Sequence, residues 1–195
     1  MITQVGEGLG VVLHALGDAL EPDPLAPLGD IQDKLPIVVD RPLLEAALAL
    51  TPDDGDRRLV ILAAIVRDAP PEWLASLELT AHERDAVELA GRADRLASAI
   101  AAAGSPSALC DALRGTPPEV AALAGALGPT AAVRRWLEEL RHVSLEIGGD
   151  DLLAAGVPAG PGLGARLERT LQRKLDGQLA GGRAAELASA LEDNG

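Results

Sequence analysis

The chain has 195 residues and a mass of 20.0 kDa, enough for one domain or two small ones. Hydrophobic residues make up 48% of it, which excludes wholesale disorder, but there are only two Trp and no Phe or Tyr, so the core falls to Leu, Ala, Val and Ile and base stacking has almost no material. A single cysteine, Cys110, excludes an internal disulfide and a cysteine-rich metal cage, and a net charge of −13 argues against indiscriminate nucleic-acid binding.

Helix punctuation runs from end to end. Val5, Leu9, Val12, Leu13, Leu16 and Leu20 follow helical spacing until the proline-rich stretch Glu21 to Pro27. Asp40 is placed to cap a helix through Leu50, and Asp56 a second one to Asp68, before Pro70-Pro71. Thr80-Ala81-His82-Glu83 reads as a capping box opening a helix to Ala103, closed by Gly104. Ser105-Pro106 opens a short helix ended by Gly115, and Thr116-Pro117-Pro118-Glu119 repeats the capping-box pattern for a helix to Leu127. Thr130 starts another, with Val133, Trp136, Leu137, Leu140 and Val143 as its apolar stripe. Val143 to Ile147 is the one short extended candidate. The fold class is therefore all-α: an irregular bundle or solenoid body with a small helical tail. Three segments are expected, an N-terminal helix with its linker (1–30), the body (31–147) and the tail (148–195).

The start of the chain has no basic n-region or clean apolar stretch, and the eight-residue run Leu59 to Val66 is too short to span a bilayer. These features place the protein in the cytoplasm, away from membranes. Acid is concentrated at the front: residues 1–80 carry −9, residues 81–141 carry −1 and residues 142–195 carry −3. An anionic partner is expected to meet the later two thirds.

Signatures of catalysis are missing. There is no phosphate loop ending in Gly-Lys-Ser/Thr, no Gly-x-Ser-x-Gly elbow and no His-Glu-x-x-His helix. Asp54-Gly55-Asp56 has a two-carboxylate spacing that can hold Mg²⁺, but it reads better as a solvated turn with Asp56 as a cap. Cys110 has no evident base beside it and reads as a small buried side chain. His14, His82 and His142 are far apart; His82 reads as a surface side chain and His142 as a helix-end residue.

The informative segment is Leu145 to Leu179. Asp150 or Asp151 is expected to cap a short helix that Gly156 ends; Val157-Pro158-Ala159-Gly160-Pro161-Gly162 then turns tightly into a second helix. Helix, glycine-rich hairpin, helix is a way to hold a phosphate, because glycines let the anion approach backbone N–H groups at the helix start. At about 100° per residue, Arg166, Arg169 and Arg173 fall within roughly 60° of one another, with Lys174 to one side. Leu163, Leu167, Leu171 and Leu175 form the adjoining apolar stripe. Such a face can track a nucleic-acid backbone without reading bases; a merely solvated basic face is the competing interpretation. Arg134, Arg135 and Arg141 form a smaller cluster that Glu138 and Glu139 can neutralise.

Leu145-x-Ile147-x-Gly149-x-Asp151-Leu152, Gly156 and Gly160-Pro161-x-Leu163-Gly164-x-x-Leu167 resemble the tail of the CCA-adding tRNA nucleotidyltransferase and bacterial poly(A) polymerase family. Ser105-Pro106-Ser107-x-Leu109, Leu113-x-Gly115 and Pro118-Glu119 are similar to the same family's helical body. The likeness covers roughly residues 35–180, being strong in the tail and weaker before Leu79. Members carry a catalytic head ahead of the body, with a Gly-Ser loop, paired metal-binding aspartates and a nucleotide-selecting neck. This chain has none of those motifs, and catalysis is not carried onto Asp54 or Asp56. What the resemblance implies is a body and tail that bind tRNA or another structured RNA.

The reading for this chain is thus an RNA-binding module of tRNA 3′-end processing, not catalytic alone. Gly160, Gly162, Gly164, Arg166, Arg169, Arg173, Lys174, Arg134 and Arg135 are its expected RNA contacts, with no catalytic or metal-binding residue. Mg²⁺ and CTP or ATP enter only if a catalytic head is supplied in trans, as in one half of a split nucleotidyltransferase. No DNA or membrane partner is expected. The rival is a protein-interaction scaffold that has lost RNA binding.

Overall fold

The computed structural model describes residues 40–67, 69, 79–179 and 181–192. The expected helix before Glu21, its proline-rich linker, Pro70-Pro71, His14 and the side chain of His82 lie outside them. Among the described residues every regular element is helical, so the fold is all-α. None of these helices is long and apolar enough to cross a membrane.

The elements are α1 (Arg41–Leu50), α2 (Arg57–Val66), α3 (Ala81–Ala90), α4 (Ala93–Ala102), α5 (Pro106–Ala112), α6 (Pro118–Ala126), α7 (Thr130–Glu138), a 3-10 turn (Leu140–His142), α8 (Gly149–Ala154), α9 (Pro161–Leu175) and α10 (Arg183–Glu192). They divide into two compact units. Among the described residues, the first takes those from 40 to 101 together with Gly115–Arg134, and the second takes Ala102–Arg114 together with those from 135 to 192.

In the first unit α1, α2, α3 and α6 pack on one another around Leu44, Val60, Ile61, Leu62 and Leu123. Seven of the ten residues of α2 are buried, as the uninterrupted run Leu59–Val66 demands. Each of its larger side chains contributes about 1.5–3 kcal/mol of apolar burial before entropy is counted. Asp40 caps α1 by accepting from the Leu43 N–H at 3.1 Å, and Asp56 caps α2 by accepting from the Arg58 N–H at 2.8 Å. Thr80 and Glu83 form the complete capping box of α3.

Two sequence expectations need correction here. The helix opened by Thr80 does not run unbroken to Ala103. At Gly91 and Arg92 the chain tightens, the Arg92 N–H reaching the Leu89 carbonyl at 2.9 Å, and α4 begins afresh at Ala93. Gly91 is the weakest helix former in that stretch, and the break falls there. The second capping box, at Thr116, does not form: Pro117 is the N-cap and no side chain caps α6. Glu119 is instead turned inward, 6% exposed, and accepts from the Asp56 N–H at 2.8 Å. One carboxylate thereby satisfies the entry to α2 from 63 residues away.

The first part of α7 crosses α6 at close range. A Cβ on Gly125 would stand 2.8 Å from the Val133 Cβ and 2.9 Å from the Leu50 Cδ1, so only glycine allows this approach. Val133, Trp136, Leu137 and Leu140 are buried, as the stripe requires.

The second unit has a smaller core of Ile147, Leu152 and Ala190, flanked by Leu145, Val157, Leu163, Leu167, Leu187 and Leu191. Around it α8, α9 and α10 pack against each other, and α5 packs on α9. The unit takes in 102–114 because Asp176, at the end of α9, accepts from the Ser107 N–H at 2.9 Å and the Ser107 hydroxyl at 2.8 Å. Arg114 adds a surface pair with Glu168. Val143–Ile147 forms no strand: the N–H groups of Glu146 and Ile147 are taken by the Glu186 carboxylate, at 2.6 and 3.3 Å, in place of a neighbouring strand.

Candidate nucleic-acid interface

The hairpin between α8 and α9 is set by its caps. At the start of α8 the N-cap is Gly148, not Asp150 or Asp151; Asp151 sits at the third helical position and reaches back to accept from the Gly148 N–H at 2.8 Å. At its end the Gly156 N–H bonds the Leu153 carbonyl at 3.0 Å and the Val157 N–H bonds the Leu152 carbonyl at 2.9 Å. This is the paired closure of a Schellman motif. It needs a left-handed residue, which Gly156 supplies at φ 88°. The accompanying apolar contact is also present, since Val157 packs into the core that contains Leu152.

From Leu152 to Ala165 the chain carries no charge. Pro158, Ala159, Gly160, Pro161, Gly162, Gly164 and Ala165 are exposed, as is Leu153 at 43%. Among the described residues a Cβ at Gly160, Gly162 or Gly164 would meet nothing within 4 Å. The glycines therefore do not serve close contacts inside the protein; they leave the start of α9 bare. Among the described residues no side chain caps that helix start, Pro161 has no N–H, and the Leu163 N–H bonds the Gly160 carbonyl at 3.1 Å. The uncapped N-terminus of a 15-residue helix carries a partial positive charge open to an anion.

The cations of α9 are placed differently from one another. Arg169 is exposed. Arg166 is half-buried, and its Nη1 donates to the Ala190 carbonyl at 2.9 Å. The Arg173 Nη1 donates to the Ser189 hydroxyl at 2.8 Å and lies 3.8 Å from the Glu192 carboxylate. Lys174 donates to the Ser144 carbonyl at 2.8 Å and to Glu186 at 2.6 Å. Arg166, Arg173 and Lys174 thus fasten α9 to α10 and to the loop before α8. Glu186, wholly buried, is the centre of this arrangement. Burial pushes its carboxyl upward, but the Lys174 ammonium and the N–H groups of Glu146 and Ile147 outweigh that, so it ionises below its ordinary value of 4.5. Of the leucine stripe, Leu163 and Leu167 pack against the small core.

Arg134 and Arg135 are both exposed, the first in the first unit and the second in the second. Arg135 lies 3.6 Å from Glu139, and the Arg141 Nε donates to the Leu137 carbonyl at 2.7 Å. Asp56 is engaged as a helix cap. His142 is exposed at the end of the 3-10 turn. Cys110 is half-buried; burial and then the neighbouring Asp111 raise its thiol above the ordinary 9.0, against the pull of Arg114.

Glu186 and Ser189 are the residues that sequence reasoning passed over. The usable signal was an acid on a helix that folds back, across the Gly177–Gly182 turn, onto a helix bearing Lys174. No family model, no curated protein and no solved structure matches this chain.

Proposed function

We propose that this chain is an RNA-binding module of the kind that forms the body and tail of tRNA nucleotidyltransferases, contacting the RNA backbone and performing no chemistry itself. The observation that carries the reading is the bare, uncapped start of α9. There three exposed glycines bring backbone within reach of a phosphate, with the exposed Arg169 farther along the same helix. Gly160, Gly162, Gly164 and Arg169 make the first contacts, and Arg134 and Arg135 are further exposed cations. Arg166, Arg173 and Lys174 contribute first to the α9–α10 scaffold and add to the field around it. A catalytic head acting on the same RNA would bring its own Mg²⁺ and nucleotide.

The internal engagement of those three cations, with the net charge of −13, favours a second reading: a protein-interaction scaffold without RNA affinity. Gly162→Asp and Gly164→Glu separate the two. Both positions are open to a side chain, and a carboxylate in the first turn suits the helix dipole, so folding is preserved or improved. Fluorescence anisotropy with labelled tRNA at low salt should show affinity at least about tenfold weaker in the double variant, consistent with loss of phosphate contact. Parent affinity that is steep in salt supports the RNA reading. Equal affinity of parent and variant, or none in the parent, overturns it in favour of the scaffold.

A further inference from the structure

We infer that the last turn of α10 is an internal counter-anion for Arg173, which a phosphate strand displaces on binding; the inference rests on the RNA reading and deepens it. Lys174 and Arg173 are adjacent on α9 and both face α10, yet they are held in contrasting ways. Lys174 meets the wholly buried Glu186 at 2.6 Å and a backbone carbonyl besides, so its contacts are part of the scaffold. Among the described residues Arg173 has one hydrogen bond, to the neutral Ser189 hydroxyl, and its carboxylate partner Glu192 stands 3.8 Å away. Their side chains are 39% and 72% exposed. An exposed ion pair at that separation is weak and screened, whereas a phosphate offers a guanidinium two short, charge-assisted bonds. The exchange needs only side-chain rotation.

Arg173 is also one helical turn from the exposed Arg169, so its release extends the cationic edge of α9. Glu192 therefore sets how strongly the resting protein holds polyanions. The carbonyl of Ala190 holds Arg166 by a backbone contact that no side-chain change removes.

The test is anisotropy with labelled tRNA on the full chain, comparing the parent, E192Q, R173Q and R173Q/E192Q. The control is E88Q, which frees Arg92 from a 2.6 Å surface pair on α3 and changes the net charge equally. E192Q should bind about threefold tighter than the parent, with an unchanged melting temperature, and tighter than E88Q. In the R173Q background the same change should have no effect beyond that of E88Q. No gain in E192Q, a gain equal to that of E88Q, or a gain that survives R173Q overturns the inference while leaving RNA binding intact. Binding by E192Q when the parent is silent supports it, and silence from both overturns it together with the RNA reading.

Discussion

Glu186→Gln removes a buried charge and leaves its shape. In the native protein the carboxylate accepts from Lys174 at 2.6 Å and from two backbone N–H groups at 2.6 and 3.3 Å, with no exposure. Breaking a buried pair from one side costs about 3–5 kcal/mol. The Lys174 side chain keeps 22% of its exposure, and the Gln oxygen can still accept from one N–H, so the lower end, about 3 kcal/mol, is expected. Glu186→Leu should cost more, because both N–H groups then lose their acceptor, at about 1–3 kcal/mol for each buried group left unsatisfied. Urea unfolding followed by the buried Trp136, with Trp73 replaced by Phe in every sample, reports on the unit concerned. The pH dependence has a defined sign. A carboxyl whose native pKa is depressed contributes its full stabilisation above the unfolded value, near 4.5, and loses it as pH falls through the lower native value. The gap between parent and Glu186→Gln should therefore be widest near neutrality and close in acid. A cost under about 1 kcal/mol at neutral pH, or a gap that widens in acid, refutes the assignment of Glu186 as the centre of the second unit.

Two further outcomes follow from the first unit's tightest crossing and from the lone thiol. Gly125→Ala puts a methyl into space held by Val133 and Leu50, and overpacking of this kind should destabilise by about 1–3 kcal/mol in thermal or urea unfolding. Cys110, half-buried with its thiol raised, should react slowly with a disulfide reagent at pH 7, and its rate should still be climbing with pH at 9.0, where an ordinary thiol begins to level off, read by absorbance of the released thiolate.

Much of the helical fold can be read from local signals, because several of its helix starts are marked by side chains that bond within three residues of themselves. Asp40, Asp56, Thr80 and Ser105 all cap where their spacing says. What escapes the sequence is what is settled at long range. Glu119 has the spacing of a capping residue, yet its carboxylate goes to the Asp56 N–H because the fold brings an uncapped donor there. The arginines of α9 show the same limit. Helical periodicity places Arg166, Arg169 and Arg173 on one side, but it is silent on whether solvent or another helix lies opposite. A hydroxyl at position 189 and a carbonyl at 190 decide that. The hairpin glycines were legible as a turn; that three of them face empty space was not.

A surface formed by leaving side chains out has an unusual genetic consequence. At Gly162 and Gly164 alanine fits without touching anything, so replacing residues one at a time by alanine would report this hairpin as inert. If it holds RNA as proposed, its contribution becomes visible only when bulk or charge is added. Selection on such a site would accordingly act against gains of side chain, and would leave a record of forbidden additions where other sites show indispensable groups.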